Sequence, residues 1–117
     1  MENLKKLKWR IRRKKIFREG VKLFIKEKKR EIARVFLYFL KNDLHKEPFG
    51  FLEDLFIVKE KRNSGLGTEL VRAVIKLARR RRCYKLIATS RFSRPLVHKF
   101  YQRLGFRKRG TEFRINF

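Results

Sequence analysis

FLEDLFIVKEKRNSGLGTELVRAVIKL, residues 51–77, joins an apolar segment to an amphipathic one through a charged link and two glycines. Phe51 to Val58 is an apolar run of strand-like composition broken only by Glu53 and Asp54. A charged link, KEKR, leads into the paired-glycine turn NSGLG, after which Leu66, Leu70, Val71, Val74 and Leu77 recur with a helical period. A strand, a turn and a helix start in immediate succession bring the amides from about Asn63 to Thr68 together at the positive end of a helix. Gly65 and Gly67 let a phosphorylated ligand come close to the chain there. The stretch predicts an enzyme that holds a diphosphate-bearing co-substrate. A glycine-rich turn without a ligand is the alternative that the spacing leaves open.

The helix ends in four arginines, Arg79 to Arg82, where positive charge suits the C-terminal dipole. Tyr84 to Thr89 reads as a strand, parallel to Phe51–Val58 if the helix is a right-handed crossover. A second helix is signalled by Ser93 as cap, Pro95 in the first turn, apolar Val97, Phe100, Tyr101 and Leu104, and Gly105 as stop. Phe106–Arg109 and Glu112–Phe117, with Gly110 and Thr111 between them, read as a closing hairpin. On the N-terminal side, Val21–Glu27 and Glu31–Lys41 read as strands, and KNDLHKEPFG as a loop punctuated by Pro48 and Gly50. Around residues 6 to 12, Leu7, Trp9 and Ile11 alternate with basic residues as in a short strand, although Leu4, Leu7 and Ile11 also fit a helical face. The sum is one α/β domain over residues 1–117 with six or seven strands, and with residues 1–18 as a basic arm or first strand.

Charge is the most unusual property of the composition. Lys and Arg number 35 against 11 Asp and Glu, a net charge of +24. Residues 1–30 carry 14 basic and 3 acidic side chains, residues 31–60 carry 4 and 6, and residues 61–117 carry 17 and 2. A basic protein with a net-acidic middle is expected to contact phosphate, nucleic acid or an anionic surface. Lys5 to Lys15, Arg79 to Arg82 and Arg107 to Arg109 are the candidate contacts. With no helix-turn-helix, finger or aromatic RNA-binding signature, the expected contact is phosphate-led and indifferent to sequence. The lone Cys83 excludes an intrachain disulfide, and with only His45 and His98 beside it a metal site is not expected. Nothing approaches a membrane span or a secretory signal, so a cytoplasmic protein is expected.

GFLEDLFIVKEKRNSGLGTELV followed by FYQRLGF resembles the GNAT superfamily of acetyl-CoA-dependent N-acetyltransferases, over roughly residues 21–117. The signature Arg/Gln-x-x-Gly-x-Gly/Ala is present as Arg62, Gly65 and Gly67, and the Leu-Glu-Asp-Leu-Phe lead-in is similar to diamine acetyltransferases. The resemblance implies a mixed, mostly antiparallel sheet with a central splayed parallel pair and two main packing helices. It places the diphosphate of acetyl-CoA on Arg62, Asn63, Ser64, Gly65, Leu66, Gly67 and Thr68, and the pantetheine arm along Phe56, Ile57 and Val58. It implies that Tyr101 protonates the departing thiolate. A helical tyrosine packed against the sheet is the plain alternative. Glu53 and Asp54, adjacent on a strand, should point to opposite faces, and Glu53 is the expected base or water-organiser. The family normally walls the acceptor site with two helices after its first strand, and about twenty residues before Val21 are too few for them. A homodimer or a bound macromolecule is therefore expected to complete the site. The acceptor is expected to be an amine on a protein or other macromolecule, or a small amine. A basic nucleic-acid-binding module that kept the fold and lost the chemistry is the competing expectation.

Overall fold

The computed structural model describes residues 10–117. Strands β1 (Arg18–Glu27), β2 (Arg30–Leu40) and β3 (Phe49–Ile57) form an antiparallel meander, and helix α1 (Leu66–Arg80) crosses to a short strand β4 (Leu86–Ala88) before helix α2 (Pro95–Arg103). The sheet order is β1-β2-β3-β4, with β4 parallel to β3. The mixed, mostly antiparallel sheet with one parallel pair and two helices is the fold class expected above.

The apolar run of β2 hides an alternation that its composition obscures. Ala33, Val35, Leu37 and Phe39 are essentially inaccessible, whereas Arg34, Phe36 and Tyr38 retain exposure on the other face. Val21, Leu23 and Ile25 of β1 and Leu52 of β3 join the first set, and α1 lays Leu70, Val71, Val74 and Ala78 among them. Burial of a side chain such as Phe39 stabilises by about 1.5–3 kcal/mol, so this one-sided layer fixes α1 on the sheet and with it the position of the glycine turn.

β3 and β4 pair only over Gly50–Leu86, Phe51–Ile87 and Leu52–Ala88. The cause lies in β3. Its register against β2 shifts from Phe36–Glu53 to Arg34–Phe56, so Val35 faces both Asp54 and Leu55, and Asp54 takes a left-handed φ of 54°. Such a bulge bends its strand and sharpens the twist, which carries the end of β3 away from β4.

Three sequence expectations are corrected. Residues 10–12 of the first strand are irregular, and the rest of it lies outside the described residues. The closing hairpin is absent: residues 106–117 run without regular structure, with Phe113, Ile115 and Phe117 at least 79% exposed. Without those elements the sheet has four strands among the described residues, not six or seven. Ser93 is not the cap of α2. Arg94 holds that place with φ −121° and ψ 68°, because Pro95 at the first helical position pushes its predecessor out of the helical region.

Candidate active site

Where β3 and β4 part, a cleft of about 730 Å³ opens between the end of β3, the first turn of α1, the segment after β4 and helix α2. Its floor is the glycine turn. A short 3₁₀ turn, Lys59–Lys61, leads to Arg62, whose Nε donates to the Ile57 carbonyl at 3.0 Å, and the Ser64 hydroxyl donates to the Lys61 carbonyl. Asn63 at φ 62° and Gly65 at φ 90° then reverse the chain, and α1 starts at Leu66. No side chain caps α1, and Glu69 N–H is the donor to the Gly65 carbonyl at 3.0 Å. The preceding amides, of Leu66, Gly67 and Thr68, lie beyond the reach of the intrahelical ladder. They line the cleft together with Arg62, Asn63 and Gly65. Uncapped amides at a helix N-terminus, facing a cleft, suit an anionic group such as a diphosphate.

The expected site residues divide by position. Ile57 lines the cleft, whereas Phe56 turns its ring to the other sheet face beneath Arg34, 4.9 Å from its centroid. Val58 N–H is tied to the Ile32 carbonyl at 2.9 Å, and the Ser64 side chain turns back to Lys61. Glu53 and Asp54 both line the cleft and both are exposed. The bulge at Asp54 interrupts the strand alternation between them, and the register sets Glu53 opposite Phe36.

Tyr101 reaches the cleft from α2 with its ring half-buried, edge-on to Phe100 at 5.3 Å and to Phe106 at 5.2 Å between centroids. The amides of Leu104 and Phe106 donate to its carbonyl at 3.0 and 3.1 Å, fixing the helix end around Gly105. Burial raises the phenol pKa above the usual tyrosine range, which holds Tyr101 in its proton-bearing form. A protonated hydroxyl at a cleft wall is a candidate general acid.

The chain also places residues here that the sequence reading missed. Thr89, Ser90 and Arg91 line the cleft just after β4, and Glu112 and Arg114 reach it from the irregular C-terminal segment, where they pair at 3.1 Å. The run out of β4 at a parting strand pair was the available signal for the first three. The last two carry none. Basic side chains predominate in the lining, with Glu53, Asp54 and Glu112 as the acids. Among the described residues no group of His, Cys, Asp and Glu is arranged to hold a metal, and no helix is long and apolar enough to cross a membrane. Burial pushes the Cys83 thiol up, which disfavours it as a nucleophile.

The model of the acetyltransferase (GNAT) family matches residues 2–106. A curated rice protein (Oryza sativa subsp. japonica), named "Probable glucosamine 6-phosphate N-acetyltransferase 2", is 31% identical over 68 residues. That match takes in 58% of this chain and 39% of the rice protein. Among solved structures, an acetyltransferase of Trypanosoma brucei superposes with a TM-score of 0.78 at 24% identity, over 84% of this chain and 69% of that one. The glucosamine-6-phosphate N-acetyltransferase of Arabidopsis thaliana gives 0.75 at 21% identity, over 84% and 67%. At those identities the two structures speak for the fold alone.

Proposed function

Since this chain belongs to the acetyltransferase (GNAT) family, we propose that it transfers an acetyl group from acetyl-CoA to a primary amine, in a single closed site and without a covalent enzyme intermediate. The observation that carries this reading is the shared cleft. The uncapped amides of Leu66, Gly67 and Thr68, the carboxylates of Glu53 and Asp54 and the protonated hydroxyl of Tyr101 all border one space. Acetyl-CoA supplies an activated thioester. The amides hold its diphosphate, the edge of β3 that parts from β4 offers main-chain groups to its arm, and Tyr101 gives a proton to the sulfur as the C–S bond breaks. Holding both reactants together removes the need for a protein nucleophile.

The acceptor we propose is an amine on a protein or other macromolecule. Glu53 and Asp54 give the cleft an acidic spot on an otherwise positive molecule, where a cationic amine can be received and deprotonated. A small free polyamine would meet the repulsion of the whole +24 field first. Calorimetry with acetyl-CoA, followed by acetyl-transfer assays on amine-bearing proteins and on small amines, tests the reading. No detectable cofactor binding would leave the non-catalytic basic module in its place.

Glu53→Gln should lower kcat/KM at neutral pH by about a hundredfold or more and leave acetyl-CoA binding intact, the size expected when one general base is lost. Asp54→Asn serves as the comparison. If Asp54→Asn gives the larger loss in a pH–rate profile, the base is Asp54 and the assignment to Glu53 is wrong.

We further propose that the chain acts as a homodimer through its C-terminal segment. Phe113, Ile115 and Phe117 alternate as in a strand and are exposed, next to a cleft that Glu112 and Arg114 already border. Light scattering should give twice the chain mass. A strictly monomeric mass at assay concentrations removes this assembly.

A further inference from the structure

We propose that the sheet face turned away from α1 binds single-stranded nucleic acid, by stacking unpaired bases on its rings. The register assembles this surface from all three long strands. Phe24 of β1, Arg34 of β2 and Phe56 of β3 form one cross-strand row, Lys22, Phe36 and Glu53 form the next, and Tyr38 lies between Gly20 and Phe51 in the one beyond. Successive rows stand two residues apart along a strand, about 6.8 Å. None of these side chains belongs to the core layer beneath α1.

On this face rings and cations are interleaved. The Arg34 guanidinium lies 4.9 Å from the Phe56 centroid, and Lys22 lies 5.1 Å from Phe24 and 5.9 Å from Phe36. Lys26 approaches Phe24 at 5.9 Å, and Arg62 approaches Phe56 at 5.7 Å. The rings still keep much of their area open to solvent, 49% of Phe24, 40% of Phe56 and 37% of Tyr38. Lys22 pairs with Glu31, but Lys26 and Arg34 have no acidic partner among the described residues.

Charge complementarity selects the occupant. A second copy laid face to face would bring Lys26 and Arg34 against their own equivalents. A polyanion meets those cations favourably, with Glu53 beside Phe36 and the Lys22-paired Glu31 as the acids it must pass. Rings at regular intervals with cations beside them offer stacking for bases and contact for the phosphates between them, and a base exposes its π-face only when it is unpaired. A duplex can use the charge but not the rings. This differs from the contact expected from composition, which was phosphate-led and indifferent to sequence, with no part for the rings. It also stands apart from acetyl transfer, since a chain that fails to bind acetyl-CoA can still pass or fail the test below.

Fluorescence anisotropy of the full chain with a labelled oligo(dT), and with a duplex of equal length, over a salt series, decides the matter. The single strand should bind at least about tenfold more tightly than the duplex. Phe24→Leu combined with Tyr38→Leu should weaken single-strand binding by at least about tenfold, the scale of one lost stacking contact, and leave duplex binding unchanged. Phe24→Tyr with Tyr38→Phe keeps the rings and should keep the affinity, which separates loss of stacking from loss of fold. Arg107→Gln with Arg109→Gln, outside the cross-strand rows, should weaken both ligands alike and flatten the salt dependence. Equal affinity for the two ligands, with equal loss in every variant, would show that charge alone binds and would overturn the proposal. So would a preference for anionic phosphatidylserine vesicles over oligo(dT) that the leucine variant abolishes, or a dimer mass that the same variant halves.

Discussion

Gly67→Leu should weaken acetyl-CoA binding on the order of a hundredfold, about 2.8 kcal/mol, while Gly67→Ala should bind within a few-fold of the parent. The difference follows from the space around one backbone position. A Cβ at Gly67 would stand 3.6 Å from Phe100 Cζ and 3.8 Å from its Cε1, an ordinary contact that a methyl group can make. The further atoms of leucine have no room between the first turn of α1 and α2 except by displacing Phe100 or entering the cleft beside the amides of Leu66 and Thr68. Alanine also favours the helix over glycine by up to about 1 kcal/mol, so the Ala variant should melt no lower than the parent. Calorimetry with acetyl-CoA, with circular dichroism to confirm the fold, measures both variants. If the leucine variant binds as the parent does, the glycine turn is a turn without a ligand and the cofactor assignment from Arg62 to Thr68 falls with it.

The strand, turn and helix at residues 51–77 were legible because each is fixed by local chemistry. A strand-like apolar run, paired glycines and a helical period all point one way there, and α1 starts at the residue the period indicates. The bulge at Asp54 was not legible, because an aspartate at a left-handed φ leaves no mark in the string FLEDLF; its register depends on β2. That single residue decides both the parting of β3 from β4 and the presence of two carboxylates in the cleft. The C-terminal hairpin failed for the opposite reason. Gly110 and Thr111 are sound turn residues, but a strand needs a partner edge, and no described strand runs beside residues 106–117. The aromatic face escaped notice because Phe24, Arg34 and Phe56 are far apart in sequence and become one row only through the pairing of three strands.

Tyr101→Phe should leave acetyl-CoA affinity unchanged and lower kcat by about a hundredfold or more, the usual contribution of a positioned general acid. The substitution removes one oxygen from a ring whose packing against Phe100 and Phe106 is made by its carbon edges, so the helix end should hold its place. The sign of the pKa shift gives a second, independent readout. Burial raises the folded-state pKa of Tyr101 above that of an exposed tyrosine, so at alkaline pH the folded chain retains a proton that the unfolded chain releases. The associated stability is complete below the usual tyrosine pKa and is lost as pH rises through the raised value. The parent should therefore lose thermal stability across the alkaline range more steeply than the phenylalanine variant, which has no proton to release. Turnover of the parent should not fall from loss of the acid until pH passes the usual tyrosine range. A Tyr101→Phe enzyme with undiminished kcat would make Tyr101 a packing residue of α2 and send the search for the proton donor to ordered water in the cleft.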